Sequence, residues 1–546
     1  MSTFLLLLIA LVWGVGAGWR VYKQARFYQI EEYMSRRYLR WIVAARERVL
    51  PNRPMVIWAV GAILSVFLGE AQGSVVPHII ALMAALIAIM PPDEGEIKKA
   101  FVRTPRATRL LAASMTVSTI MLVTLVGIVW ALSARFEDFR PALSGAAGLL
   151  ALLLAPLWLV LGNLLMTPVE AAYRRRFLQQ ASNVMQAVHP KVIGITGSYG
   201  KTTTKHFLRD LLSVRYKTYA TPKSYNTLMG ISRAINEDVS NDYSIEYFIS
   251  EMGAYIPGEI ARICDLTPPS ISVVVEIGPQ HLERFGTLEN VATAKYEIIK
   301  ALPVDGLGVF NIDNPYIKAM YDRAYPTERI GVSRLLPVDT SPDQARFIAS
   351  NITQTLNGLT FAITDTQTGQ NEVFSVPVVG VHNVTNILLA VAVAVHEGIS
   401  LRELAQRSRL LKPSESRLVR QTSAEGITII NDAYSANPAG VVSALQVLGM
   451  HQTGRRLLIT PGMVELGPLH ESENRKLGHE AAQYATDIIL VGREQTAPIA
   501  AGIQESPFPP DHLMIVDTLG DAVGWYKQHL HAGDTVLFLN DLPDTY

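Results

Sequence analysis

Sulfur chemistry is nearly missing from this chain: Cys264 is the single cysteine in 546 residues. That excludes an intrachain disulfide and any multi-cysteine metal centre, and it suits a reducing compartment. Cys264 itself reads as a small buried hydrophobe, not a nucleophile. Net charge is missing too, because 48 Lys and Arg balance 48 Asp and Glu. The totals therefore carry no basic footprint for nucleic acid, and no such partner is expected. A Gly-rich dinucleotide fingerprint is absent, which argues against a nicotinamide cofactor. Two of the long apolar segments of the first third, Leu110–Ala134 and Ala142–Met166, carry no mid-segment charge, so nothing there looks like a proton or ion pathway.

Those apolar segments are what the first third does contain. Five candidate spans run over Thr3–Gly18, Pro54–Leu68, Ser74–Met90, Leu110–Ala134 and Ala142–Met166, near the roughly 20 residues that a bilayer requires. The first has no convincing cleavage site and is followed by Arg20, Lys23 and Arg26, so it reads as an anchor and not as a signal peptide. The second and third are separated by Gly69–Gly73 and form an expected hairpin. Basic residues gather in three places: Arg20–Arg53, Lys98–Arg109 and Arg174-Arg175-Arg176. With five spans all three lie on one side, which puts the N-terminus outside and the rest of the chain in the cytoplasm.

After the last span the sequence turns into alternating strand and helix signals. Lys191–Thr196 is a short β-branched run, followed by Gly197-Ser198-Tyr199-Gly200-Lys201-Thr202-Thr203 and an apolar-periodic stretch to Leu212. Strand, glycine-rich turn, helix is the setting of a phosphate loop. Backbone N–H groups cradle the phosphates, Lys201 reaches the terminal ones and Thr202 holds Mg²⁺. Ile195 stands where the strict loop pattern has its first glycine. Further on, Ile427–Ile430, Arg456–Thr460, Ile488–Val491 and Thr535–Phe538 are short apolar runs separated by helical stretches, the signature of a small Rossmann-like sheet. The expected segments are a transmembrane region over 1–168, a juxtamembrane linker over 169–190, an ATP-binding domain over 191–412 and a last domain over 413–546.

The irregular loop T-G-x-x-G-K-T-T resembles that of the Mur ligases, which join amino acids to peptidoglycan precursors at the expense of ATP. Further resemblances follow in order: Glu251-Met252-Gly253-Ala254 with Pro257-Gly258-Glu259-Ile260, His281-Leu282-Glu283-Arg284-Phe285-Gly286, and Ala294-Lys295-Tyr296-Glu297-Ile298. Asn311-Ile312-Asp313, Gly380–Asn386, Asn431–Pro438 and Met463-Val464-Glu465-Leu466-Gly467 complete the set. They are most similar to the D-Ala-D-Ala-adding branch. The resemblance implies an acyl-phosphate route with Lys201 on the phosphates, Thr202 and Glu251 on Mg²⁺, and His281 on a second metal. Lys295 matches a lysine that is carbamylated to support that metal. Asn311, His382 and Asn386 would meet the nucleoside, and Arg417 and Asp432 would belong to a lid over the nucleotide.

The resemblance covers none of the first 190 residues. Members of the family carry an N-terminal domain for UDP, yet only Thr167–Pro190 lies between the last span and the loop. Ser416 replaces a glycine before Arg417, Gly462 replaces an aspartate, and Leu537–Pro543 replaces the usual substrate-end stretch. The expectation is a bacterial, multi-pass plasma-membrane protein with cytoplasmic catalytic domains. It would be an ATP- and Mg²⁺-dependent amide ligase in cell-envelope synthesis, joining a small or lipid-linked carboxylate to an amino acid or dipeptide. Two rivals are a ligase for another amide polymer, such as a capsular poly-amino acid, and a non-catalytic nucleotide-binding membrane scaffold.

Overall fold

A computed structural model describes residues 2–31, 33–44, 52–68, 75–90, 101–133, 139–222, 225–413, 418–433 and 436–540. The chain forms two compact units, divided at Arg176 and Phe177.

The first unit is helical: Ser2–Ile30, Ser35–Ala44, Asn52–Phe67, Val76–Ile89, Pro105–Leu132, Arg140–Leu153 and the first part of Ala155–Val188. Leu, Ile, Val and Ala surround most of these helices, so apolar side chains face outward as well as inward. Small residues set the contacts. A Cβ on Gly148 would lie 2.2 Å from Trp13 Cγ, one on Gly61 would lie 2.5 Å from Ala84 Cβ, and one on Gly162 would meet Ser114 at 2.2 Å. Close approach over small residues is how helices associate where hydrophobic transfer offers no gain. Arg109 adds a bidentate pair with Glu170, at 2.7 and 3.0 Å.

Among the described residues, three helices are long and apolar enough to cross a membrane: Ser2–Ile30, Pro105–Leu132 and Ala155–Val188. The second and third expected spans are helices of 16 and 14 residues, only about 24 and 21 Å long at ~1.5 Å per residue. The fifth expected span is divided, because one helix stops at Leu153 and the next starts at Ala155. Pro156 has no N–H for the carbonyl of Leu152, and this interrupts the ladder. The loop from Gly69 to Gly73 lies outside the described residues.

The second unit holds two sheets. In the first, strands β1 (Lys191–Thr196), β2 (Thr218–Ala220), β3 (Tyr247–Glu251), β4 (Ile271–Val274), β5 (Leu307–Asn311), β6 (Glu328–Ser333), β7 (Phe347–Thr355), β8 (Gly358–Asp365) and β9 (Asn371–Val376) lie in the order β2-β3-β1-β4-β5-β6-β7-β8-β9. Pairing is parallel as far as β7 and antiparallel beyond it. The β1 burial is nearly continuous, as a central parallel strand covered on both faces requires. Helix Lys201–Leu212 packs on it through Phe207, Leu208 and Leu211, beside helix His382–His396, whose residues 383–394 are all buried.

The second sheet comprises β10 (Val419–Thr422), β11 (Thr428–Asp432), β12 (Arg456–Thr460), β13 (Asp487–Val491), β14 (Leu513–Val516) and β15 (Thr535–Leu539), in the order β10-β11-β15-β12-β13-β14. The four apolar runs noted in the sequence become β11, β12, β13 and β15. Of the two outermost strands, β10 is mostly exposed and polar, whereas β14 is an apolar run, Leu513-Met514-Ile515-Val516, that is not among those four.

Phe207 is fully buried between the loop helix and the first sheet. Phe207→Ala should destabilise the α/β unit by about 3–5 kcal/mol, the usual cost of a large core truncation. Urea unfolding followed by far-UV circular dichroism measures it.

Candidate active site

The phosphate loop is shaped by its neighbours before any ligand enters. Gly197 has φ +156°, and a Cβ there would sit 3.0 Å from Glu276 N. The Ser198 N–H donates to the Glu276 carbonyl at 2.6 Å, and the Ser198 hydroxyl donates to the Gly278 carbonyl at 3.0 Å. Gly200 is left-handed at φ 76°, where a side chain would meet Asn386 Oδ1 at 2.5 Å. It opens helix Lys201–Leu212, so the N-terminus of that helix begins at the loop. Lys201 Nζ folds over the loop and donates to the carbonyls of Gly197 (2.6 Å) and Ser198 (3.0 Å).

Glu251 closes the other side at the end of β3, in register with Ile195 on β1. It is 2% exposed and pairs with Lys205 Nζ at 2.9 Å, a lysine with no exposed side-chain surface. The Thr202 hydroxyl donates to the second carboxylate oxygen at 3.1 Å, and Asn226 Nδ2 approaches the same oxygen at 3.4 Å. Burial pushes the Glu251 carboxyl upward, but the charges of Lys205 and Lys201 outweigh it and hold the group below its ordinary range. A charged carboxylate beside a hydroxyl, on a phosphate-binding loop, fits Mg²⁺. That ion takes one or two protein oxygens and completes its shell with phosphates and water. Among the described residues no cluster of three His, Cys, Asp or Glu stands ready for a metal.

Lys295 lies within helix Leu288–Lys300 and is 4% exposed. Its amine makes no hydrogen bond among the described residues; its Nζ stands 5.9 Å from the Phe285 ring. Burial, with Lys201 nearby, pushes its pKa down to about 7. His281 stands at the start of the short helix Leu282–Phe285, which follows β4. Left-handed at φ 54°, it bonds Glu465 through Nδ1 and packs its ring edge-on against Tyr255 at 4.6 Å. No described hydrogen bond or ion pair joins it to Thr202, Glu251 or Lys295. The next N–H, of Leu282, also goes to Glu465, at its carbonyl (3.0 Å).

The other expected residues surround a cleft of about 100 Å³ between the two sheets. Tyr199, Gly200, Thr203, His382, Asn386 and Asp432 all line it. Asn386 Oδ1 accepts from Thr204 at 3.2 Å, and its amide donates to Asn383 at 3.0 Å. Asp432 accepts the Leu418 N–H at 3.1 Å. Asn311 stands behind the wall: its amide donates to the Val275 carbonyl and to Glu276, each at 2.9 Å. Glu276 is what reaches the cleft, and burial pushes its carboxyl up. Arg417 lies outside the described residues.

Residue-by-residue reading missed four contributors. Lys205 is one helical turn after Lys201 on the inward face, a position where a lysine needs a buried partner, and this could have drawn notice. Asn226 and Glu276 have no local signal. Glu465 was visible in its motif without a role.

The comparisons with known proteins follow the same division of the chain. Residues 195–394 match the Mur ligase middle domain, and residues 416–540 match the Mur ligase, glutamate ligase domain. The UDP-N-acetylmuramoyl-tripeptide–D-alanyl-D-alanine ligase of Escherichia coli is 32% identical over 376 residues, covering 68% of this chain and 79% of its own. The chain belongs to the Mur ligase family. It is an ATP-dependent carbon–nitrogen ligase by that membership. The Bacillus subtilis protein of the same name is 29% identical over 364 residues, 66% of this chain and 75% of its own. Two solved structures share the fold, each with a TM-score of 0.58: MurF from Acinetobacter baumannii (24% identical, covering 67% of this chain and 77% of that one) and MurF from Thermotoga maritima in complex with ADP (22%, 67% and 80%).

Removing one member of a buried ion pair strands the other charge. Lys205→Met should therefore destabilise the unit by about 3–5 kcal/mol, and the double variant Lys205→Met/Glu251→Gln should recover much of that loss. Chemical denaturation of the parent, the Lys205→Met and Glu251→Gln variants and the double variant completes the cycle.

Proposed function

We propose that this ligase joins an amino acid or dipeptide to the carboxylate of a lipid-linked cell-envelope precursor at the cytoplasmic face of a bacterial membrane. The observation that carries the reading is local. Helix Ala155–Val188 ends two residues before β1, the strand that leads into the phosphate loop. No UDP-holding domain stands between the helical unit and the ATP site, yet that site retains Lys201, Thr202, Glu251 and Lys295. Three helices of membrane-crossing length and the basic loops support the placement.

Two departures from the family pattern support a different acceptor or amine. Gly462 and the stretch from Leu537 are adjacent in space, where Asn540 Nδ2 donates to the Gly462 carbonyl at 2.6 Å. The same Asn540 accepts the Ala436 N–H at 3.2 Å. The altered residues thus cluster in the last domain and leave the phosphate loop intact.

ATP supplies the phosphoryl group, and Mg²⁺ offsets the charge of its phosphates. Thr202 and Glu251 would hold that ion. The acceptor carboxylate attacks the γ-phosphorus, releasing ADP and giving an acyl phosphate. The amine attacks the acyl carbon, loses a proton, and phosphate departs as the amide forms. Lys201 and the helix N-terminus stabilise negative charge on the transferring group, while loop and cleft keep the reactants in line. Lys295, with a pKa near 7, has a neutral amine available to add CO₂ and release a proton, becoming a carbamate.

Protein in detergent should release ADP and phosphate with membrane lipid extract plus D-Ala-D-Ala, and Lys201→Ala should reduce release to background. Equal turnover with soluble UDP-muramoyl tripeptide would overturn the lipid-linked assignment. Equilibration with ¹³C-bicarbonate should give a carbamate resonance that Lys295→Ala lacks. The signal should grow as pH rises through about 7, since the amine must lose its proton before it reacts.

A further inference from the structure

The helical unit contains an open apolar groove of about 630 Å³ between helices Ser2–Ile30 and Pro105–Leu132. Leu7, Leu11, Gly14 and Gly18 form one wall, and residues from Met115 to Trp130 form the other. Leu7 to Gly18 spans about 16 Å at ~1.5 Å per residue. That is at least the depth of one leaflet, half of a ~30 Å hydrocarbon core. Nothing lies within 4 Å of where a Cβ on Gly18 or Gly127 would stand. The groove therefore has room that the unit's own side chains leave unfilled.

Its two ends differ in charge. Beyond Gly18, Lys23 Nζ stands 5.3 Å from the Trp19 ring and the Arg103 guanidinium 5.8 Å from Tyr22. Tyr22 packs edge-on with Phe101 at 5.4 Å, and Gln29 bonds the Val102 backbone, so both helices bring their cationic ends together. At the opposite end neither Ser2–Leu7 nor Gly127–Ser133 holds a charged residue. An apolar trough with cations at one end matches an amphiphile with a single anionic head. A second transmembrane helix would present apolar surface along its length and would make no use of this asymmetry.

We propose that this groove holds the hydrocarbon chain of a long-chain lipid phosphate, with the phosphate at Lys23 and Arg103, as the carrier portion of the acceptor. The inference rests on the membrane-bound reading given above. Phosphate is the chemistry these cations select, since both arginine and lysine bind it through charge-assisted hydrogen bonds. The chain gains by burying methylene groups against the glycine-lined wall instead of disordered neighbours, through packing contacts.

The test uses the full chain in detergent with hexadecyl phosphate carrying a mid-chain diazirine, and hexadecanol carrying the same group. Irradiation should label the facing segments around Gly14 and Leu122, and excess unlabelled hexadecyl phosphate should compete. Gly18→Leu with Gly127→Leu fills the trough at positions that have space, and should weaken labelling by about tenfold or more, the effect of ~1.4 kcal/mol. Lys23→Gln with Arg103→Gln should weaken labelling by the phosphate and leave that by the alcohol unchanged. Unchanged labelling in the filled variant, or equal labelling by phosphate and alcohol in the parent protein, would overturn the proposal. ATP turnover separates it from the function. If the filled variant loses labelling while a soluble UDP-linked acceptor serves as well as lipid extract, the groove stands and the lipid-linked reaction falls. If turnover requires lipid extract but labelling ignores the groove, the groove alone falls.

Discussion

The ion pair between Lys205 and Glu251 is the constraint around which the catalytic unit is organised. Two charges withdrawn from water cost several kcal/mol each unless each satisfies the other. Here the pair is held at 2.9 Å with almost no exposure. That requirement fixes the inward face of helix Lys201–Leu212 and the end of β3 relative to each other. The same carboxylate takes the Thr202 hydroxyl, so the loop inherits the register of the pair. Gly197 and Gly200 then allow the turn to pass close to Glu276 and Asn386, where any side chain would collide.

A second layer of organisation joins the two sheets. Glu465 meets the His281 side chain and the Leu282 N–H, so one residue of the last domain grips the loop that follows β4. Between them the cleft takes Tyr199, Gly200 and Glu276 from one sheet's loops and Asp432 and Asn437 from the other's. Neither domain encloses it alone. Lys295 occupies the opposite regime: it is a buried amine without a hydrogen-bond acceptor among the described residues, whereas Lys205, also buried, is paired with Glu251.

Much of this was legible from residue order. The β-branched run before the glycine-rich turn marked β1, because a parallel strand covered on both faces needs continuous apolar residues. Tyr199, Thr203, His382, Asn386 and Asp432 were picked out by motif and do line the cleft. Asn311 was also picked out, yet its amide supports Glu276 from behind. Such a substitution of one wall residue for another cannot be seen locally, since it depends on how β4 and β5 lie side by side. The apolar segments were equally plain, but their division was not. The break at Leu154 follows from Pro156 and the missing N–H, and the shorter helices Asn52–Phe67 and Val76–Ile89 end where their ladders do.

By itself the sequence determined the family, the α/β class, the phosphate loop and the apolar first third. Each of these is written in local spacing: a turn needs its glycines, a buried strand its branched residues, a long apolar helix its unbroken apolar run. Only the tertiary structure decided which charges face one another. Pairing Lys205 with Glu251 brings together residues 46 positions apart, and joining His281 to Glu465 spans 184. Energies of that kind depend on distance and burial, which become defined only when the sheets close.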